Sequence, residues 1–418
     1  MRLDELDYTL PPELIAQVPL EPRDASRLLV ASGAGASLAF DDRAFRDLPG
    51  LLRPGDVLVR NDTRVIPARA HFRRATGGRV ELLFLEPLDG ADAGATPSDS
   101  GPAAAPATAS TTPGEGRPRE SWEVLARGRL RPGETLRSEA APAELAVEVG
   151  QRLGDGRWTV RTAGRGGESL GELLGRHGET PLPPYIRAAL ADPERYQTVY
   201  ARLRGSAAAP TAGLHFTREL DGALRAAGIA IEHLTLHVGL ATFKPVTAAR
   251  LEDHPLHEEP YVVERTALAR IAAARAAGGR VVAVGTTMVR LLEELGAAGL
   301  LGPVGAGAAP GGDEASGGRD GAPHGNEVPA SGGRDGAPRD EPLLEGRTCL
   351  FITPGHRFTA VDGLITNFHL PRTSLLALVM AFCGVEETRR LYEHAVARRY
   401  RFYSFGDAML AWAGEGSR

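Results

Sequence analysis

Between residues 53 and 164 the chain breaks into short strand-like runs, "GDVLVR", "VIPARAHF", "RVELLFLEPL", "SWEVLARG", "ETLRS", "LAVEVG" and "RWTVRTA", separated by Gly and Pro turns. Short β-rich runs punctuated in this way predict a small antiparallel barrel. The flanking texture is different. From 211 onward, "FTRELDGALRAAG" reads as a helix capped by Thr217 and leads into the strand "IAIEHLTLHVGL"; "ERTALARIAAARAAGG" leads into "RVVAVG" and then the helix "MVRLLEEL". Such alternation predicts an α/β domain around a largely parallel or mixed sheet. Residues 1–52 carry signals of the same second kind, in "PPELIAQVP" and "SRLLVAS". The expected organisation is therefore a discontinuous α/β domain, 1–52 with 165–418, into which the β-barrel, 53–164, is inserted.

Two stretches, 89–118 and 302–342, are made of Gly, Ala, Pro, Ser and charges, and the second repeats "ASGGRDGAP" at 315–323 and 330–338. Neither can bury a core, so both read as disordered loops. The glycines of "GPVGAG" are not framed by a strand and a helix, as a nucleotide loop requires. No apolar run approaches the ~18 residues of a membrane span, and the N-terminus mixes acids with prolines, which predicts a cytoplasmic, unprocessed protein. Cys349 and Cys383, the two cysteines, lie in apolar runs and read as core thiols. Two are too few for an iron–sulfur cluster held by about four thiolates.

A net charge of −5 gives no global attraction to nucleic acid, so an RNA partner needs a local basic patch. Three arginine-rich stretches are interleaved with aromatics, "ARAHFRRATGGR" (68–79), "RYQTVYARLRG" (195–205) and "RRYRFYSF" (398–405). Each is either a solvated face or a surface for phosphates and unstacked bases.

In open α/β sheets ligands sit beyond the carboxyl ends of the strands, where helix N-termini offer free amides. "VVAVGTTMVRLLEEL" puts Gly285, Thr286 and Thr287 at such a place, either as an ordinary N-cap or as donors to a ligand. "VDGLITNFHLPRTSLLALVMAFCG" is a strand, a polar turn and a helix from near Pro371 to Gly384 that is apolar all round and hence buried. Asp362, Thr366, Asn367 and His369 then flank the end of a strand feeding the core, where polar groups need partners or a ligand. "IEHLTLHVGLATF" places His233, Thr235 and His237 on one strand face, and "DHPLHEE" adds His254, His257 and Glu259. A zinc hydrolase stays open on that basis, although no HExxH or cysteine pattern accompanies it. "PTAGLHF" sets His215 where a helix is about to begin, a position that favours the neutral ring.

The blocks "LPPELIAQVPLEPRDASRLLV", "VRNDTRVIPAR", "GETPLPPYI", "RYQTVYA", "AAPTAGLHFT", "LTLHVGLATFKPV", "TPGHRFTAVDGLITNFHLPRTSLLALV" and "YSFGDAML", in this order, resemble the S-adenosylmethionine:tRNA ribosyltransferase-isomerases of queuosine biosynthesis. Two departures occur: Ala241 stands where the family usually has Gly, and Thr373-Ser374 where it has Ser-Thr. The resemblance implies transfer of the ribosyl part of S-adenosylmethionine to the aminomethyl group of 7-aminomethyl-7-deazaguanine at the wobble position of tRNA. Rearrangement then gives epoxyqueuosine-tRNA, and adenine and methionine leave. The implied partners are that tRNA and S-adenosylmethionine, with no membrane; a monomer is one option for the oligomeric state. No cofactor and no metal is implied, because S-adenosylmethionine is consumed as a substrate.

The chemistry needs a base for the proton beside the sulfonium, a proton or hydrogen bond for departing adenine, and a deprotonated amine. His215, His369 and Asp62, on the matching blocks, and Glu259, outside them, are the expected catalytic residues. Asn61, Arg64, Thr211, Gly213, His237, His257, Gly285, Thr286, Thr287, Asp362, Thr366, Asn367 and Arg372 are the expected substrate-binding residues. Arg398, Arg399 and Arg401 are expected to hold tRNA. The alternative from another class is a non-catalytic tRNA-binding relative of the same fold.

Overall fold

The structure is a computed structural model and describes residues 1–33, 35–88, 120–162, 168–239, 251, 258–302 and 343–413. The two low-complexity stretches, apart from Gly302, lie outside the described residues, as do Ala241, His254 and His257. In chain order the first strands are β1 (Arg27–Ser32), β2 (Ala39–Ala44), β3 (Val57–Asn61), β4 (Thr63–Val65), β5 (Arg69–Arg74), β6 (Arg79–Leu88), β7 (Ser121–Arg127), β8 (Thr135–Ser138), β9 (Ala146–Gly154) and β10 (Arg157–Thr162). Then come β11 (Leu203–Ser206), β12 (Ala230–Leu236), β13 (Glu259–Glu264), β14 (Val281–Val284), β15 (Leu343–Thr348), β16 (Gly363–Asn367) and β17 (Ala408–Trp412). The α-helices are α1 (Leu170–His177), α2 (Arg218–Ala226), α3 (Arg265–Ala276), α4 (Thr286–Ala297), α5 (Ser374–Cys383) and α6 (Val385–Ala397).

The chain divides into two compact units, 1–64 with 182–418, and 65–181. The first holds a nine-stranded mixed sheet in the order β15-β13-β12-β3-β14-β16-β17-β1-β2. Its four middle strands, β12, β3, β14 and β16, run parallel. β17 is antiparallel to β16 and parallel to β1. Strands covered on both faces read as continuous apolar runs, and "VVAV" of β14 is buried at every residue. Val57, Val59, Val281 and Ala283 pack into one core with residues of α3, α4, α5 and α6. The intervening Leu58, Val282 and Val284 pack into a second core with Phe45, Leu48 and residues of α2. Thr217 caps α2 by accepting from the Leu220 amide, as the sequence predicts. Helix α5 is buried from Leu375 to Phe382, capped by Thr373, and stopped by Gly384 at φ 95°.

The second unit is a closed antiparallel barrel, β10-β7-β6-β5-β8-β9, followed by α1, which Ser169 and Glu172 start with a reciprocal capping box. Its limits differ from those expected. "VLVRN" of "GDVLVR" is β3, buried at all five residues, and such a strand needs cover on both faces, which the large sheet gives it. At the other end the unit extends to 181 and includes α1. The helix start expected at His215 is a 3-10 turn, Thr211–His215, and the α-helix begins at Arg218. Cys349 is exposed, in contrast to the core position expected, and Cys383 is partly buried against the core. No helix among the described residues is long and apolar enough to cross a membrane.

Candidate active site

At the carboxyl edge of the parallel strands, in the first unit, lies a cleft. β14 runs into Gly285 and then α4, β16 ends at Thr366 and Asn367, and between them these turns form much of the wall. Thr211, Gly285, Thr286, Thr287, Thr366, Asn367 and His369, all expected from the sequence, line it together. Val238 and Leu375 supply apolar wall, and Tyr403 and Ser404 complete it. Among the described residues, no Asp, Glu, Lys or Arg lines the cleft. A neutral wall rich in hydroxyls suits a nucleoside better than a phosphate or a free carboxylate.

The turn into α4 needs a glycine for its backbone angle: Gly285 has φ 91°, while a Cβ there would meet only ordinary contacts. Its amide donates to Ile365 O at 2.8 Å, which ties the turn to β16. No side chain caps α4. The Thr286 and Thr287 hydroxyls are thus not consumed as caps, and the first amides of α4 point out of the helix toward the cleft edge.

Asn367 connects the cleft to a buried chain of hydrogen bonds. Its Nδ2 donates to His215 Nε2 at 3.1 Å and to Asp407 O at 3.3 Å, and the other nitrogen of the ring, Nδ1, lies 2.7 Å from Ser26 Oγ. His215 is buried, stacked on Phe45 with ring centroids 4.8 Å apart, and does not itself line the cleft. Desolvation lowers its pKa to about 4; Asp407 opposes the shift, and Arg401 and Arg23 add to it. The ring is therefore neutral near pH 7.

His369 does face the cleft. Its Nε2 lies 3.0 Å from Thr366 Oγ1, its amide donates to Tyr392 Oη at 3.0 Å, and its carbonyl accepts from Tyr8 Oη at 2.5 Å. Burial lowers its pKa to about 3, and burial raises that of Tyr403. These two are the titratable side chains of the wall among the described residues. An unprotonated imidazole held by its backbone at a neutral wall has a lone pair with which to take up a proton or accept a hydrogen bond.

Other expected residues are held elsewhere. Glu259 pairs with Arg290 at 2.6 Å and accepts from the Gly239 amide at 3.1 Å. Asp62 accepts from Arg202 at 2.8 Å and from Thr235 at 2.5 Å. Asn61 ties β3 to β12, donating to Leu236 O and accepting from the Leu236 and Thr63 amides. Asp362 sits at the opposite, amino end of β16, where it accepts from the Val281 amide at 2.7 Å. His237 Nδ1 is 2.8 Å from Thr63 Oγ1 and burial lowers its pKa. Gly213 lies behind the wall, where a Cβ would stand 2.2 Å from Tyr200 Oη. Arg64 pairs with Glu194, and exposed Arg372 with Asp7.

His257 lies outside the described residues. Among the described residues no three His, Cys, Asp or Glu side chains converge as metal ligands. Arg398 and Arg399 are largely exposed, but Arg401 is tied to Asp407 at 3.0 Å.

One buried cluster carries no motif that marks it as a unit. Arg60, fully buried, donates to both oxygens of Asp221 at 2.6 and 3.1 Å and to His233 Nε2 at 3.0 Å, and lies 3.9 Å over the Tyr200 ring. His233, on which a zinc reading leaned, is thereby an acceptor for a guanidinium, and burial with that neighbour lowers its pKa to about 4. Ser26 and Asp407 carried no motif of their own. Tyr403, Ser404 and Asp407 stand within "YSFGDAML", yet nothing in that block marks which of its side chains face a ligand.

The profile of a family described as "Queuosine biosynthesis protein" matches residues 3–411. The S-adenosylmethionine:tRNA ribosyltransferase-isomerase of Anaeromyxobacter sp. (strain Fw109-5) is 47% identical over 414 residues, 98% of this chain and 99% of its own. That of Rubrobacter xylanophilus is 45% identical over 416 residues, 99% of this chain and 98% of its own. Among solved structures, the S-adenosylmethionine tRNA ribosyltransferase of Thermotoga maritima is 30% identical, covering 97% of this chain and 99% of its own, with a TM-score of 0.46.

Proposed function

The chain belongs to the S-adenosylmethionine:tRNA ribosyltransferase-isomerase family of queuosine biosynthesis proteins, and from that premise we propose that it makes epoxyqueuosine-tRNA. It moves the ribosyl part of S-adenosylmethionine onto the aminomethyl group of 7-aminomethyl-7-deazaguanine in tRNA and isomerises it, releasing adenine and methionine. The observation that carries this reading is the neutral, hydroxyl-lined cleft at the carboxyl edge of β14 and β16, which suits the adenosyl group. The cationic sulfonium acidifies the neighbouring carbon, and the reaction needs a group beside that carbon to take up its proton. His369 is the wall residue suited to that role.

Arg398 and Arg399, exposed, are suited to the tRNA backbone. In this reaction the substrate brings its own leaving group, so no resident metal or redox cofactor takes part, and the cytoplasm is the compartment we infer. The test is to mix the protein with S-adenosylmethionine and tRNA carrying the modified base, then measure adenine and the mass of the wobble nucleoside. Equimolar adenine and epoxyqueuosine are expected, and the yield should survive exhaustive chelation. Tight tRNA binding without adenine would instead establish the non-catalytic relative.

A further inference from the structure

Asn367 is 2% exposed and lines the cleft, yet its Oδ1 is buried and has no hydrogen-bond partner among the described residues. Buried acceptors rarely stay in that state unless a ligand or water completes them. The orientation of the amide follows from its neighbours. Asp407 O, 3.3 Å away, is a carbonyl oxygen and can only accept, so the Asn367 atom facing it is Nδ2. The same Nδ2 meets His215 Nε2 at 3.1 Å, so that ring nitrogen carries no hydrogen. The ring hydrogen then sits on Nδ1 and is donated to Ser26 Oγ, 2.7 Å away. Were the ring in the other tautomer, its Nε2–H would confront the Asn367 NH2, and the amide would be driven to turn its oxygen inward.

We propose that Asn367 Oδ1, the polar atom of this wall residue that its neighbours leave unmet, accepts a hydrogen bond from a neutral N–H or O–H of the nucleoside part of the substrate, and that His215 is a positioning residue that fixes which end of the amide is left for it. The proposal rests on the reading that the cleft takes S-adenosylmethionine. The adenosyl group has two sources of such a donor, the exocyclic amine of adenine and the ribose hydroxyls. On this assignment His215 holds no substrate proton; it acts one residue removed from the ligand.

The experiment is calorimetric titration of the full chain with S-adenosylhomocysteine and with its 6-oxo, 2′-deoxy and 3′-deoxy analogues. One analogue is expected to bind about 5- to 15-fold more weakly than the parent, the loss of one neutral hydrogen bond. In Asn367→Leu that selective penalty disappears, and the analogue that shows it identifies the donor. His215→Gln, whose amide oxygen can stand in for Nε2, keeps the penalty; His215→Leu reduces it. Nitrogen NMR of the unsubstituted protein is expected to show His215 Nε2 as the unprotonated ring nitrogen. Analogue penalties that are the same in Asn367→Leu as in the parent protein, or a hydrogen on Nε2, overturn the proposal alone. Failure of the parent protein to bind S-adenosylhomocysteine, together with no adenine release, overturns the reading of the cleft and the proposal with it.

Discussion

Replacing Asp221 by Ala should be among the most destabilising single changes in the first unit, and the reason lies in what it leaves behind. Arg60 is 0% exposed, both of its Nη atoms donate to Asp221, and its Nε already lacks a partner. Among the described residues no other carboxylate lies within ion-pair reach of Arg60. His233 cannot substitute, since it offers a neutral nitrogen, and the Tyr200 and Phe216 faces, 3.9 and 5.0 Å away, attract the cation only weakly. Removing one partner of a buried pair costs roughly 3–5 kcal/mol, because the remaining charge is stranded out of water. For a unit of this size that corresponds to a fall in melting temperature on the order of 5–10 °C. The double variant Arg60→Met/Asp221→Leu removes both charges and should recover most of the loss. Differential scanning calorimetry of the three proteins at pH 7 checks this. An Asp221→Ala protein that melts with the parent would refute the reasoning, as would a double variant no more stable than the single one.

Stability should fall as pH drops from about 6.5 toward 4. Unfolded His215 and His369 take up protons near 6.5, whereas in the folded chain they do so near about 4 and about 3, so the unfolded state binds more protons in that window. The slope is at most ~1.4 kcal/mol per pH unit for each, and His369→Gln should shallow it; a flat profile in urea titrations would contradict the burial argument. Gly213→Ala places a Cβ 2.2 Å from Tyr200 Oη and 2.9 Å from Thr198 Cγ2, so about 1–3 kcal/mol of stability should be lost, read as a lower urea midpoint. Neutralising Arg398 or Arg399 should reduce the log–log salt slope of tRNA binding by about one, since each phosphate contact releases roughly one counterion. Arg401→Ala, which takes the guanidinium from buried Asp407 and leaves it, among the described residues, only backbone amide donors, should instead lower the melting temperature; an equal salt effect at all three positions would remove that distinction.

Much of this molecule could be read from residue order. The Gly/Pro punctuation of 53–164 marks a barrel, and the all-round apolar "SLLALVMAFC" marks a buried helix, because both signals are local. The error at "GDVLVR" has a physical origin: five buried residues in a row look alike in a barrel and in the middle of a doubly covered sheet. The cleft was legible where a turn follows a strand, at Gly285–Thr287 and Thr366–His369. Asp362 shows the limit of that logic, since a strand has two ends and only one of them meets the ligand edge. Glu259, Asp62 and Asn61 stand apart from that wall for a different reason. Their partners, Arg290, Arg202 and Leu236, are brought to them by tertiary packing, and an acid committed to an arginine looks in sequence like one awaiting a substrate.

The strand order also constrains when the first unit can form during synthesis. β17 lies between β16 and β1, pairing Asn367 with Ala408 on one side and Leu28 with Ala408 on the other. The β1–β2 hairpin, which leaves the ribosome long before β17, therefore has no docking edge until Trp412 has emerged, some 380 residues later. Contacts of such long sequence separation form slowly and late. In the interval Leu28, Leu29 and Val30, buried in the finished sheet, are exposed on a lone hairpin, a form that is marginally stable by itself. A nascent chain of this kind invites a holding chaperone, and truncation before Ala408 would leave that hairpin permanently without its neighbour.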